Sequence, residues 1–231
     1  MNDIITVTLT VELGENLYSS EPAEYSVATY GYSMLENCAT EEYAELQTLL
    51  VDLFHYGSAS QTYTTYKEEN LVNAKLTEEQ LAWGTDTLLA LNDVFDKDYA
   101  VVDKPSVEWK GAGLKLENSI TMRFKIEAES IENLVAKIVS ASGQEWTIKS
   151  DSFEACDDGN GYYIYFNGLN ASQMREAIYI TIYEGTEIVS NTVCYSIESY
   201  AYAMQSSGDE ALKSLLEMMM KYGDSAYAYT H

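Results

Sequence analysis

Tyr195-Ser196-Ile197-Glu198-Ser199-Tyr200-Ala201-Tyr202-Ala203-Met204 decides how this chain is read, because it is the second appearance of a pattern. Tyr25-Ser26-Val27, Tyr30, Tyr32 and Met34 occupy the same places at an offset of 170. The match resumes at an offset of 166, where Leu46, Leu49, Leu50, Leu53, Tyr56-Gly57 and Tyr63 return as Leu212, Leu215, Leu216, Met219, Tyr222-Gly223 and Tyr229. Upstream, Met1 to Ile5 align with Met174 to Ile178 at an offset of 173. A fixed long period marks a duplicated structural unit. The 231 residues then hold one complete unit and the tail of another, which reads as a piece excised from a longer, multimodular chain. Residues 1–66 are the C-terminal part of a first unit, a β-hairpin plus a helix pair. Residues 67–105 are a helical or loop connector, and 106–231 are a complete second unit, with strands over 106–197 and a helix pair over 195–231.

Side-chain spacing assigns the repeated tail. Leu212, Leu215, Leu216 and Met219 fall at i, i+3, i+4 and i+7, the stripe of an amphipathic helix, and Gly223 stands where a glycine commonly closes one. Leu46 through Tyr56-Gly57 repeats the arrangement, and the two Tyr-Ser segments also predict helices. Thr77-Glu78-Glu79-Gln80 is a capping box, predicting a further helix with Leu81, Leu88 and Leu89 inward; residues 93–105 read as a loop.

Between 106 and 197 the period is two. Ile120, Met122, Phe124 and Ile126 share one face against Thr121, Arg123 and Lys125, and Ile178, Ile180 and Ile182 alternate with Tyr179, Thr181 and Tyr183. Further runs near 114–116, 134–139, 146–149, 162–166 and 187–194 make about seven short strands. Such regular spacing predicts a mainly β fold with α: an immunoglobulin-like β-sandwich followed by a helical hairpin and preceded by the strand-and-helix tail of a second copy. Asp157-Asp158-Gly159-Asn160-Gly161 supplies a hairpin turn, and Asn170 to Glu176 a short helical corner.

Composition limits the partners. Thirteen Lys plus Arg against 37 Asp plus Glu leave a net charge of −24, which repels phosphate backbones and anionic headgroups, so nucleic acid is not an expected ligand. A hydrophobic fraction of 46% supports a real core despite that charge. No run approaches the length of apolar sequence that spans a bilayer, so no membrane insertion is expected, and no signal peptide opens the chain. Cys38, Cys156 and Cys194 form no CxxC pair, which favours three buried free thiols over a Cys156–Cys194 bridge.

The order Gly111-Ala112-Gly113-Leu114-Lys115-Leu116, an alternating strand, Tyr195-Ser196-Ile197 with Tyr200-Ala201, and a helix carrying Tyr222-Gly223 resembles a recurrent module of secreted and cell-surface proteins of gut clostridia. Tyr56-Gly57-Ser58-Ala59-Ser60-Gln61 resembles the tail of that module more closely still. The resemblance covers nearly the whole chain and rests on structural motifs. It implies an extracellular, wall- or complex-associated setting and contact with polysaccharide or host surface.

The residue inventory points away from catalysis. Of two histidines, His231 is terminal, and His55, where the other copy has Lys221, reads as a solvated residue at a helix C-terminus. GxSxG, HExxH, P-loop and dinucleotide motifs are missing, and no carboxylate pair is singled out by spacing. No cofactor or designed metal site is expected: Asp157-Asp158-Gly159-Asn160 groups oxygen atoms, but the position an EF-hand fills with an acid is Gly168.

Tyrosine, at 20 against 5 phenylalanines, is the more informative excess, since a phenol serves where a ring meets both packing and water. The tyrosines kept in both copies, Tyr25/195, Tyr30/200, Tyr32/202, Tyr56/222 and Tyr63/229, are expected to hold the helices against the sandwich. Ligand candidates come from the rest. Placing Ile164 and Phe166 inward sends Tyr163 and Tyr165 outward, and Tyr179 and Tyr183 oppose the isoleucine face of their strand, with Trp109 and Trp146 extending the platform. Exposed rings on a rigid sheet suit polysaccharide, whose pyranose CH faces stack on aromatics. The expectation is a non-catalytic, secreted or cell-surface carbohydrate-binding module. Its alternative is a spacer or adhesion module contacting another surface protein, in which outward tyrosines only reflect strand propensity.

Overall fold

The computed structural model describes residues 1, 3–14, 16–117 and 119–231; Asn2, within the offset-173 match, lies outside them. Four short strands open the chain: β1 (Ile5–Val7), β2 (Thr10–Leu13), β3 (Asn16–Ser19) and β4 (Ala23–Tyr25). Helices α1 (Val27–Asn37), α2 (Ala44–Thr64) and α3 (Glu78–Leu81) follow. Then come β5 (Asp96–Ala100), β6 (Val107–Leu116), β7 (Ile120–Ala128), β8 (Leu134–Ser140), β9 (Glu145–Lys149), β10 (Glu154–Ala155), β11 (Tyr162–Phe166), β12 (Ile178–Glu184), β13 (Glu187–Ile188) and β14 (Thr192–Tyr195). Helices α4 (Ile197–Met204) and α5 (Glu210–Thr230) complete it.

The fold is mixed α/β, with about 30% strand in several antiparallel sheets and 34% helix, and not mainly β. The excess helix has a local cause. Gly57 and Gly223 do not stop their helices, which run on to Thr64 and Thr230. Neither glycine adopts the left-handed conformation of a stop. Gly57 instead permits close approach: a Cβ there would lie 2.5 Å from Met1 Sδ and 2.7 Å from Val72 Cγ1. The stop comes later, at Thr65, whose φ is 52°.

Two compact units partition the chain, one of residues 1–88 with 209–231 and the other of residues 89–208. In the first, β1 pairs with β4, β2 with β3, and α2 packs along α5. Equivalent tyrosines meet there, Tyr56 stacking on Tyr222 at 5.7 Å and 5°. Its core gathers Ala28, Leu35, Val51, Phe54 and Val72, with Tyr32 stacked on Phe54 at 4.5 Å. The capping box at Thr77 forms, but α3 lasts one turn, and Leu81 and Leu89 are exposed instead of inward. Asp52 explains the early stop, since its carboxylate accepts from Thr85 N at 2.9 Å and Thr85 Oγ1 at 2.6 Å, which holds the chain off the helical path.

In the second unit, β10, β11, β7 and β6 form a four-stranded antiparallel sheet, and β5, β14, β12, β8 and β9 a larger one to which β13 adds. The expected alternation holds: Met122, Phe124 and Ile126, Ile164 and Phe166, and Ile178, Ile180 and Ile182 are buried while their neighbours are not. The sheets touch where Phe124 sets its ring at 78° to Tyr195, 5.8 Å away. Residues 93–105, expected as a loop, contain β5. Its sequence Asp-Lys-Asp-Tyr-Ala carries no apolar period, and the strand is held through backbone pairing to β14 and through Asn191, which accepts from Val102 N and donates to Asp98. Buried Glu198 pairs with Arg175 and accepts from Asn92 N at 2.9 Å, tying the entry segment to α4. The three cysteines are buried and free.

The segments matched in sequence pair and cap alike. Ile5 faces Tyr25 as Ile178 faces Tyr195, and Val7 faces Ala23 as Ile180 faces Val193. Ser26 and Ser196 cap α1 and α4 with matching backbone angles, and Met1 O accepts from Ala28 N as Met174 O accepts from Glu198 N.

Candidate functional site

The outward aromatics lie in the second unit, and the structure separates them. Tyr163 and Tyr165 stand on β11 in the four-stranded sheet, Tyr179 and Tyr183 on β12 in the larger one, so the two pairs do not share a sheet. Trp109 does not extend a platform. It is 8% exposed, its indole N–H donates to Asn191 O at 2.7 Å, and its ring meets Phe124 edge-on. Val107 and Trp109 are buried and Glu108 and Lys110 exposed, so the alternation of β6 before its β-bulge, between Trp109 and Gly111, turns the indole inward.

One pair of candidates does come together. Trp146 of β9 and Tyr165 of β11 line the same open groove of about 500 Å³, with Ile148, Lys149, Asp151 and Asn167 around them. Trp146 sits half-buried with its ring at 64° to Phe166, 5.0 Å between centroids. Gly168 makes this possible, since a Cβ there would lie 2.5 Å from Phe166 Cε2 and 2.8 Å from Trp146 Nε1. Tyr165 is flanked by Tyr163 at 6.0 Å. Burial and the nearby Glu154 carboxylate push the Tyr165 phenol up, so its hydroxyl stays protonated and can both donate and accept. The arrangement offers one indole and one phenol for stacking, a carboxylate and an amide for hydroxyl groups, and an ammonium at the rim.

Cations and rings already cover one side of the tyrosines. The Arg123 guanidinium sits 4.9 Å from the Tyr163 centroid, Lys115 Nζ 5.5 Å from Tyr165, and Lys137 Nζ 4.2 Å from Tyr183; Tyr99 packs on Tyr179 at 4.8 Å. Spacing along a strand could not reveal these partners, because each comes from another strand of the sheet, adjacent for Arg123 and Lys137 and two strands away for Lys115 and Tyr99, whose register is set by folding. Lys149, Asp151 and Asn167 were missed for the same reason. Asn167-Gly168, a turn signal directly after an aromatic strand, is the local mark that points to them.

Two other features are occupied by their own chain. Asp158 pairs with Lys125 at 2.8 Å and accepts from Asn160 N, a closed hairpin turn. His55 is half-buried in the interior of α2, not solvated at its end, with Asn73 Nδ2 at 3.1 Å from Nδ1. Among the described residues no helix is long and apolar enough to cross a membrane. The chain matches no protein-family model, and no curated protein or solved structure is significantly similar to it.

Proposed function

We propose that this chain is a non-catalytic, extracellular, polysaccharide-binding module of a multimodular bacterial surface protein, and that the sheets of residues 106–197 form an immunoglobulin-like β-sandwich presenting the site. The observation that carries the reading is the convergence of Trp146 and Tyr165 on one open groove beside Asp151 and Asn167. Sugar-binding surfaces need rigid rings whose faces meet pyranose CH groups and polar side chains that take the hydroxyls. A chain of net charge −24 directs the choice towards a neutral glycan. The extracellular setting is supported by the resemblance to modules of secreted clostridial proteins.

Affinity electrophoresis through starch, cellulose, xylan and mucin tests it. Retardation by at least one of them is expected, weakened about tenfold or more by Trp146→Ala and by Tyr165→Ala and unchanged by Tyr183→Ala, which lies in the other sheet. A second reading, a spacer or adhesion module contacting protein, is favoured by the cations and rings that already cover the tyrosines. Absence of retardation on all four glycans selects it.

A further inference from the structure

The first copy of the repeated strand pair leaves open what the second copy fills. β12 pairs with β14 on one edge and with β8 on the other, Ile178 facing Ser140, Ile180 facing Ile138 and Ile182 facing Ala136. β1 holds the β12 position in the first copy, with the same register to its partner, and among the described residues it pairs with β4 alone. The apolar side chains of this strand pair face solvent: on β1 Ile5 is 68% exposed and Val7 50%, and on β4 Tyr25 is 58%, where Ile178 and Ile180 are at 0% and Tyr195 at 4%. Ile5-Thr6-Val7 also carries none of the lysines or prolines that usually guard an open edge.

We propose that the free edge of β1 is a docking site for an added antiparallel strand with the chemistry of β8, aliphatic at alternate positions on one face and polar on the other. The second copy supplies the argument, because it shows which kind of strand completes this pair and in which register. Main-chain hydrogen bonds to β1 provide the attraction, and the alternation fixes which face of the added strand meets Ile5 and Val7. The occupant is not β8 of a second folded copy, since that strand is paired on both edges, to β12 and to β9. It is an extended segment whose own edges are free.

The test uses the full chain, isotopically labelled, and a synthetic peptide with the sequence of residues 133–141. Amide exchange at those residues among Ile5, Thr6 and Val7 whose N–H points away from β4 is expected to slow at least tenfold on adding the peptide, with no such change in β12. Val7→Lys, at an exposed position that leaves the fold intact, is expected to remove the protection. Unchanged exchange at residues 5–7 overturns the proposal. So does equal protection by a scrambled peptide, or protection confined to the edge strands of the second unit.

Discussion

Ile178 and Ile5 stand on the same rung of equivalent strand pairs, opposite Tyr195 and Tyr25, yet one is sealed and the other more than two-thirds exposed. Pairing and capping are the same in both places. What differs is what lies beyond the pair: β8 on one edge and Phe124 across the face in the second copy. Backbone register is therefore local information, whereas burial is supplied by strands distant in sequence. The conserved tyrosines show it again. Tyr195 is core while Tyr25 is exposed, so the expectation that each conserved pair plays one role in both copies does not hold.

The widest separation between the copies lies in the aliphatic positions. Ile180→Ala removes a fully buried side chain and is expected to cost about 2–5 kcal/mol, whereas Val7→Ala at the equivalent, exposed rung changes stability by no more than about 0.5 kcal/mol. Urea denaturation of both variants checks the contrast. Equal losses would mean that Val7 is covered in solution, and the comparison would break.

The glycine of the Tyr-Gly repeat gives a smaller and sharper effect. An alanine at Gly57 gains about 1 kcal/mol of helix propensity but meets Val72 Cγ1 at 2.7 Å and Met1 Sδ at 2.5 Å, and overpacking of this kind costs about 1–3 kcal/mol. A net loss of about 1 kcal/mol is expected. Met1 can swing aside; Val72 is buried and branched, so the loss should shrink when Val72→Ala is already present, measured as a double-mutant cycle. No coupling between the two would return Gly57 to the status of a plain helix residue.

These positions mark how much was legible beforehand. The period-two strands, the capping box at Thr77, the helices of the two Tyr-Ser segments, the turn at Asp157–Gly161 and the corner at Asn170 were readable, because each depends on residues within a few places of one another. Gly57 was misread as a stop because a close contact with Met1 and Val72 leaves the same letter in the sequence as a left-handed turn. β5 was missed because an exposed edge strand needs no apolar alternation. At the candidate site the outward sides of Tyr163 and Tyr165 follow from counting, and the local alternation also carries the inward side of Trp109, but the meeting of Tyr165 with Trp146, which shares the face of its buried rung partner Ile138, and the placing of Tyr179 and Tyr183 in the other sheet follow from the sheet order, which no spacing encodes.

The smallest expected effect lies where the copies differ in chemistry, at His55 and its counterpart Lys221. Lys221 reaches Asp86 O at 3.2 Å and Glu217 at 2.9 Å. His55 has no such outlet. Burial pulls its pKa below the usual imidazole value and Lys221 adds to this, while Asp52 opposes them; Asn73 Nδ2 donates to Nδ1, a bond that requires the neutral ring. The folded state thus refuses a proton that the unfolded chain accepts at about pH 6.5. The contribution of His55 is fully present above that pH and is lost as pH falls through the lowered folded value, below which the loss stays constant. Carboxylates titrate in the same range, so the quantity to follow is the difference in urea midpoint between the wild type and His55→Gln. The wild type's advantage should narrow as pH falls from 7 towards 5. An advantage that instead grows on acidification would show His55 stabilised by its charge, and the chemical distinction drawn between the two copies would close.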